Sequence, residues 1–409
     1  MSLAKACASK TFSRAALAAA PSLACRLQPP PQISSRYLTM ARPSQAMCLG
    51  SPASRSFSTE QARGGKLSEQ EDVDLDSVAY GFMASQALFS GLELSLFDYV
   101  AEAGDAGASL ATLQQKCDVT APRLQTLVTA LVACKCLRRS PDGLYTNSPN
   151  TAQFMVQSSR HYYGDYLRYQ IGQQFYGTMG SLPDVMKTGK APSYASWFSD
   201  PEVAQKYTQA QHNGSVATAK YLVKKKLALG GISSMLDVGG GSGAFSYVFV
   251  GATPGLNSTV LELPEVCRTG EKIREQQPED VQTRVQFKEL DATKPDWPVD
   301  DGSFELVLMS YISGSVPEPV IKGLYSNAYK ALKPGGRLLV HDFMVDDSKD
   351  GPVLGALWAL QHVTVNAEGL GLHPEEIITR MAAAGFDASK CETMEMIRGM
   401  TKLIVAHKA

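Results

Sequence analysis

Between Leu236 and Gly243 the chain reads Leu-Asp-Val-Gly-Gly-Gly-Ser-Gly, a short apolar run that ends in a carboxylate and opens into glycines. Glycines there let the backbone take positive φ and pass close to a ligand whose charge is met by amides at a helix start. Gly239, Gly241 and Gly243 supply this freedom, although Gly239-x-Gly241-x-x-Ala244 also fits a dinucleotide fingerprint. Two later acids bear on the choice. Glu262, in Leu261-Glu262-Leu263-Pro264, stands where a carboxylate can accept hydrogen bonds from both hydroxyls of a ribose, as it would for a nicotinamide dinucleotide too. Asp291, in Glu289-Leu290-Asp291-Ala292, ends the next strand and suits an adenine amino group. An adenosyl site is expected from Asp237, Gly239, Gly241, Gly243, Glu262, Leu263 and Asp291, with Asp237 facing any positive charge on the ligand.

Strands and turns must hold these residues. Short apolar runs at 235–238, 259–261, 285–290, 306–309, 337–342 and 403–406 alternate with helical periodicity, which predicts a parallel, helix-covered sheet. Ahead of it, apolar residues recur at three and four over 79–89 and 94–100. A break at Val119-Thr120-Ala121-Pro122, a second periodic run over 123–133 and a hairpin around Pro141-Asp142-Gly143 complete a winged helix-turn-helix. A DNA-reading helix needs positive charge and polar forks. This one offers Arg123 and Gln125 and then mostly Leu, Val, Thr and Ala. The apolar segment 79–96 is better explained as buried between two copies, so a homodimer is expected.

Composition sets the outer bounds. With 409 residues, 34 glycines and a net charge of -1, the chain reads as a soluble globular protein of two domains, without the charge that draws nucleic acid. Eight cysteines form no C-x-x-C pair, and no histidines stand at zinc spacing, so no metal site is expected. Before Glu60 there are Lys5, Lys10, Arg14, Arg26, Arg36, Arg42 and Arg55 and no acid, which is transit-peptide chemistry. Its end, Arg55-Ser56-Phe57-Ser58-Thr59, favours a mitochondrial address over a plastid one, and its apolar stretch is shorter than the roughly 20 residues a bilayer requires. The expected division is a leader at 1–65, a winged-helix dimerisation domain at 76–156, a Tyr-rich helical connector at 157–225 and the adenosyl-binding domain at 226–409.

Lys333-Pro334-Gly335-Gly336-Arg337 adds a tight turn into the fifth strand. With the glycine turn, Glu262 and Asp291 it resembles the pattern of class I methyltransferases. Over 76–409 the chain resembles the dimeric methyltransferases that include plant caffeate and isoflavone O-methyltransferases, acetylserotonin O-methyltransferase and a bacteriochlorophyll C-methyltransferase. The resemblance implies an α/β Rossmann-like domain with an N-terminal helical winged-helix dimerisation domain, and S-adenosyl-L-methionine as cofactor. It also implies that Gly239, Glu262, Asp291 and Ala292 touch the cofactor.

One departure redirects the chemistry. Plant O-methyltransferases carry Trp-x-x-His-Asp-Trp after the fourth strand, with the histidine as general base; here the run is Met309-Ser310-Tyr311-Ile312-Ser313-Gly314-Ser315, and Ser313 takes its place. A hydroxyl acceptor needs a base within hydrogen-bond reach. A thioether has no such proton and needs only alignment, desolvation and a surface that tolerates a new sulfonium. The leader, the connector and the missing histidine are similar to those of algal methylthiohydroxybutyrate S-methyltransferases of dimethylsulfoniopropionate synthesis, which implies 4-methylthio-2-hydroxybutyrate as acceptor.

By resemblance Tyr207 and Gln211, four apart on one helix face, would position the acceptor. Asn366 matches an acceptor-lining asparagine, and His362 one turn earlier is the replacement base if the acceptor is a hydroxyl. Tyr169, Trp197 and Tyr311 would complete an aromatic wall, and Arg398 or Arg168 would fork onto a carboxylate. Two other readings stay open: an O-methyltransferase, and a winged-helix regulator that senses S-adenosylmethionine. No partner among nucleic acids or membranes is expected.

Overall fold

The computed structural model describes residues 73–192, 198, 200–367, 371–396 and 400–409; the leader, Trp197 and Arg398 lie outside the described residues. Local chemistry sets the helix starts. Asp74 accepts from the Ser77 amide at the head of the helix Leu75–Glu93, and Ser109 does the same for Thr112 at Leu110–Cys117. Asp200 accepts from the Glu202 and Val203 amides ahead of the 25-residue helix Pro201–Lys225, which ends in Lys224 and Lys225, favourable charges for its C-terminal dipole.

The amino-terminal part is a small helical body with a wing. Leu75–Glu93 ends where Ser95 turns left-handed, and Leu96–Glu102, Leu110–Cys117 and Ala121–Ala133 follow. Strands β1 (Leu137–Arg139) and β2 (Tyr145–Asn147) pair antiparallel, as the hairpin residues predict. Leu92, Leu96, Phe97, Leu113, Leu124, Val128, Leu131 and Leu137 fill its core. The outer face of Leu75–Glu93 leaves Leu75, Val78, Tyr80, Phe82 and Met83 more than half or half exposed.

The connector departs from plain α-helix: Tyr166–Phe175 is a ten-residue π-helix. It leads through Tyr176–Met179 and Leu182–Thr188 toward Pro201–Lys225, on which it packs.

The carboxyl-terminal part is a seven-stranded sheet. Its strands are β3 (Ser234–Val238), β4 (Asn257–Glu262), β5 (Val285–Glu289), β6 (Phe304–Ser310), β7 (Leu332–Phe343), β8 (Glu392–Glu395) and β9 (Thr401–His407), in spatial order β5-β4-β3-β6-β7-β9-β8. The expectation of a parallel sheet is corrected. β3 to β7 are parallel, but β9 runs antiparallel between β7 and β8. β8, Glu-Thr-Met-Glu, is a largely exposed edge strand with no apolar run to mark it in the sequence. In the centre alternate residues bury on opposite faces: Leu236, Val307, Met309, Leu338 and Ile404 on one, Met235, Leu306, Leu308, Leu339 and Leu403 on the other. Helices Glu318–Ala331 and Pro374–Ala383 cover the first face, and Ala244–Ala252 with Pro201–Lys225 the second. A strand buried on both sides reads as a continuous apolar run, and these do. The order also reverses between β3 and β6, which opens a crevice at the carboxyl ends of the strands.

Candidate functional site

A cleft lies in that crevice. The turn after β3 holds Gly239 at φ 65° and Gly241 at φ 56°, left-handed backbone that favours glycine. Gly240 is required for space: a Cβ there would meet Asp237 Cγ and Val260 Cγ1 at 2.7 Å. Gly243 serves differently from expectation. It caps Ala244–Ala252 at φ 77° against the Phe287 and Tyr247 rings and does not line the cleft, whereas Gly240 and Ser242 do.

Three carboxylates face the cleft at this end. Asp237 is 1% exposed and accepts the Ser246 hydroxyl at 2.6 Å; burial pushes it up to about 7. Glu262, also raised by burial, accepts from the Gly241 amide at 2.9 Å and the Leu263 amide at 2.7 Å. Asp291 accepts from the Thr293 amide and hydroxyl at 3.0 and 2.6 Å. Leu263 and Ala292 complete the lining between them. The donor set fits an adenosyl group carrying positive charge: a close backbone, two acids at successive strand ends and a buried acid at the turn.

The opposite wall comes from the connector: Phe198, Tyr207, Thr208, Gln211 and Ser215. Tyr207 meets Phe198 edge-on at 4.9 Å. Its phenol oxygen accepts from Gln211 Nε2 at 2.9 Å and from Gln170 Nε2 at 3.1 Å, and Gln170 Oε1 accepts from Gln211 Nε2 at 2.9 Å. Gln170 is fully buried behind the wall and is a residue the sequence did not single out. Tyr311 closes the floor. It is left-handed at φ 59°, a costly conformation for a bulky side chain, and its ring packs against His341 and Phe343 at 4.7 and 5.4 Å.

Other expected residues lie elsewhere. Tyr169 is turned out of the cleft into a separate surface hollow with Asp165, Glu202 and Lys206, under the Arg168 guanidinium at 4.8 Å. Arg168 itself pairs with Glu93 at 2.9 Å. His362 is buried behind the floor, so close to Gly314 that a Cβ there would lie 2.5 Å from the ring, and burial lowers it to about 4. Asn366 donates to the Val316 carbonyl at 3.2 Å rather than lining the cleft. Ser313 is 1% exposed with its hydroxyl 3.1 Å from Tyr325 Oη, inside the core. All six histidines, at 161, 212, 341, 362, 373 and 407, fall within the described residues, and none lines the cleft. The nearest in hydrogen bonding are His341, 2.9 Å from Ser310 Oγ, and His212, 2.8 Å from Ser242 Oγ. His341 is lowered to about 3 by burial.

Two family models match, an O-methyltransferase domain over residues 178–387 and an O-methyltransferase dimerisation domain over 77–157. The chain belongs to the O-methyltransferase family. It is similar to the acetylserotonin O-methyltransferase of Macaca mulatta, at 29% identity over 76% of this chain and 91% of that one. The N,N-dimethyltransferase OxyT of Streptomyces rimosus matches at 28% over 79% and 93%. Human N-acetylserotonin methyltransferase, solved with S-adenosylmethionine, shares the fold with a TM-score of 0.73 at 24% identity, covering 85% of this chain and all of that one. This methyltransferase uses S-adenosyl-L-methionine, its winged-helix part is a dimerisation domain, and the regulator reading is set aside.

Proposed function

We propose that this methyltransferase methylates the sulfur of a small thioether acid, 4-methylthio-2-hydroxybutyrate being the acceptor the sequence resemblance implies. The observation that carries the proposal is the described cleft lining, which holds Tyr207, Tyr311, Phe198 and Gln211 and no histidine, lysine, arginine or cysteine. S-adenosylmethionine, when bound, supplies an activated methyl group. Asp237, Glu262, Leu263, Asp291 and Ala292 would hold it from the strand ends, with Gly239 and Gly241 admitting it to the backbone. Attack by the acceptor sulfur's own lone pair would form the new sulfur–carbon bond as the donor's methyl–sulfur bond breaks and S-adenosylhomocysteine leaves, so no proton would be lost and no base would be required. Tyr207 and Gln211 set its direction, and the aromatic faces favour the dimethylsulfonium product by roughly 0.5–2 kcal/mol each. A relative named as an N,N-dimethyltransferase supports an acceptor atom that varies among related chains. The leader is proposed to direct the enzyme to the mitochondrion.

The relatives named as O-methyltransferases favour a second reading, a hydroxyl acceptor. Mass spectrometry of products from the purified enzyme with methylthiohydroxybutyrate and with a phenol panel separates the two. A sulfonium product with no proton release is expected; methylated phenols alone would overturn the sulfur reading.

A further inference from the structure

We propose that Gln170 is a positioning residue for the acceptor: it fixes the Tyr207 hydroxyl and the Gln211 amide relative to each other, from outside the cleft. The inference rests on the reading that Tyr207 and Gln211 meet the acceptor. Gln170 is fully buried, and both ends of its amide are spent on this pair, Nε2 on the Tyr207 oxygen and Oε1 on the Gln211 amide. The three side chains form a closed ring, because Gln211 also donates to Tyr207. With Gln211 as placed, rotating the Gln170 amide alone would set its Nε2 against Gln211 Nε2, donor against donor, so the pair hold each other's orientation.

The backbone that carries Gln170 is as specific as its side chain. It lies mid-way in the π-helix Tyr166–Phe175, a wider turn that is disfavoured in general and concentrated at functional sites. The segment is held from the other side by the dimerisation helix: Glu93, at the end of Leu75–Glu93, pairs with Arg168 at 2.9 Å and accepts from Gln173 Nε2 at 2.7 Å. Gln170 therefore sits between a fixed point on the dimerisation helix and the acceptor wall.

The test is steady-state kinetics of full-length Gln170→Leu and Gln170→Glu, with cofactor binding by calorimetry and folding by thermal melt. Gln170→Leu is expected to raise acceptor KM by about ten-fold or more, with cofactor Kd within about two-fold of wild type. Gln170→Glu keeps the shape but, when ionised, cannot donate to Tyr207. Its acceptor KM is expected to be raised at about pH 8 and to return toward wild type near pH 6, where a buried carboxyl regains a proton to donate. A role confined to packing would leave the Glu variant without that pH profile. Unchanged acceptor KM in both variants, or equal losses of cofactor and acceptor binding, would overturn the proposal. The readout uses whichever acceptor turns over, so activity on phenols alone would refute the sulfur reading and leave the test of Gln170 intact.

Discussion

Asp237 is placed to report cofactor binding through protons. Burial raises it from 3.8 to about 7, so it is protonated below neutrality. A cationic ligand favours the ionised form. Cofactor affinity is therefore expected to rise by up to ten-fold per pH unit below about pH 7 and to level off above it. Calorimetry in two buffers of different ionisation enthalpy should show a proton released near neutral pH, and Asp237→Asn should abolish both effects. For folding the sign is opposite. A raised acid makes the folded state hold the extra proton, so its contribution is complete below about pH 4 and is lost as pH rises to about 7. Stabilisation by cofactor should thus grow across the same window, readable as the increase in Tm on adding it. Gly240→Ala acts on the same site through space, since its Cβ would press on Asp237 and Val260. A loss of cofactor affinity of about five-fold to a hundred-fold is expected, in line with about 1–3 kcal/mol for overpacking.

Elements decide which of these residues the sequence could reveal. The turn after β3 was legible because its demands are local: positive φ at Gly239 and Gly241 and acids at the ends of β4 and β5 are read from neighbours in the chain. The opposite wall of the cleft was half legible. Tyr207 and Gln211 lie on one ordinary helix, so a spacing of four placed them together. Gln170 is 37 and 41 positions from its partners and sits in a π-helix, whose turn no α-period anticipates. The wider turn faces Tyr169 away from the cleft and sets its neighbour Gln170 on the contacts. The turn after β6 gives a further prediction. Ser313 stands where plant enzymes carry a base, yet its side chain is packed on Tyr325. Ser313→His is expected to destabilise the protein by about 1–3 kcal/mol without conferring phenol methylation, checked by denaturant melts and the same acceptor panel.

For the whole molecule, the exposed apolar face of Leu75–Glu93 lies within the dimerisation domain and is expected to be covered by a second copy. Phe82→Asp places a charge there and is expected to shift the protein to monomers in sedimentation velocity, with the internal core of Leu92, Leu96 and Phe97 undisturbed. The expectation that 79–96 is buried between copies is corrected in part: Phe89, Leu92 and Leu96 fill the protomer's own core, and the exposed apolar face lies earlier, from Leu75 to Met83. The antiparallel β9 was not legible either, because strand direction leaves no mark on a run buried on both faces. The two walls of the cleft come from separate stretches of chain: strand ends and turns on one side, the segment 198–215 on the other. In engineering terms that separation is a division of labour: substitutions at Tyr207 and Gln211 in the connector are expected to change which acceptor is methylated while cofactor affinity stays intact.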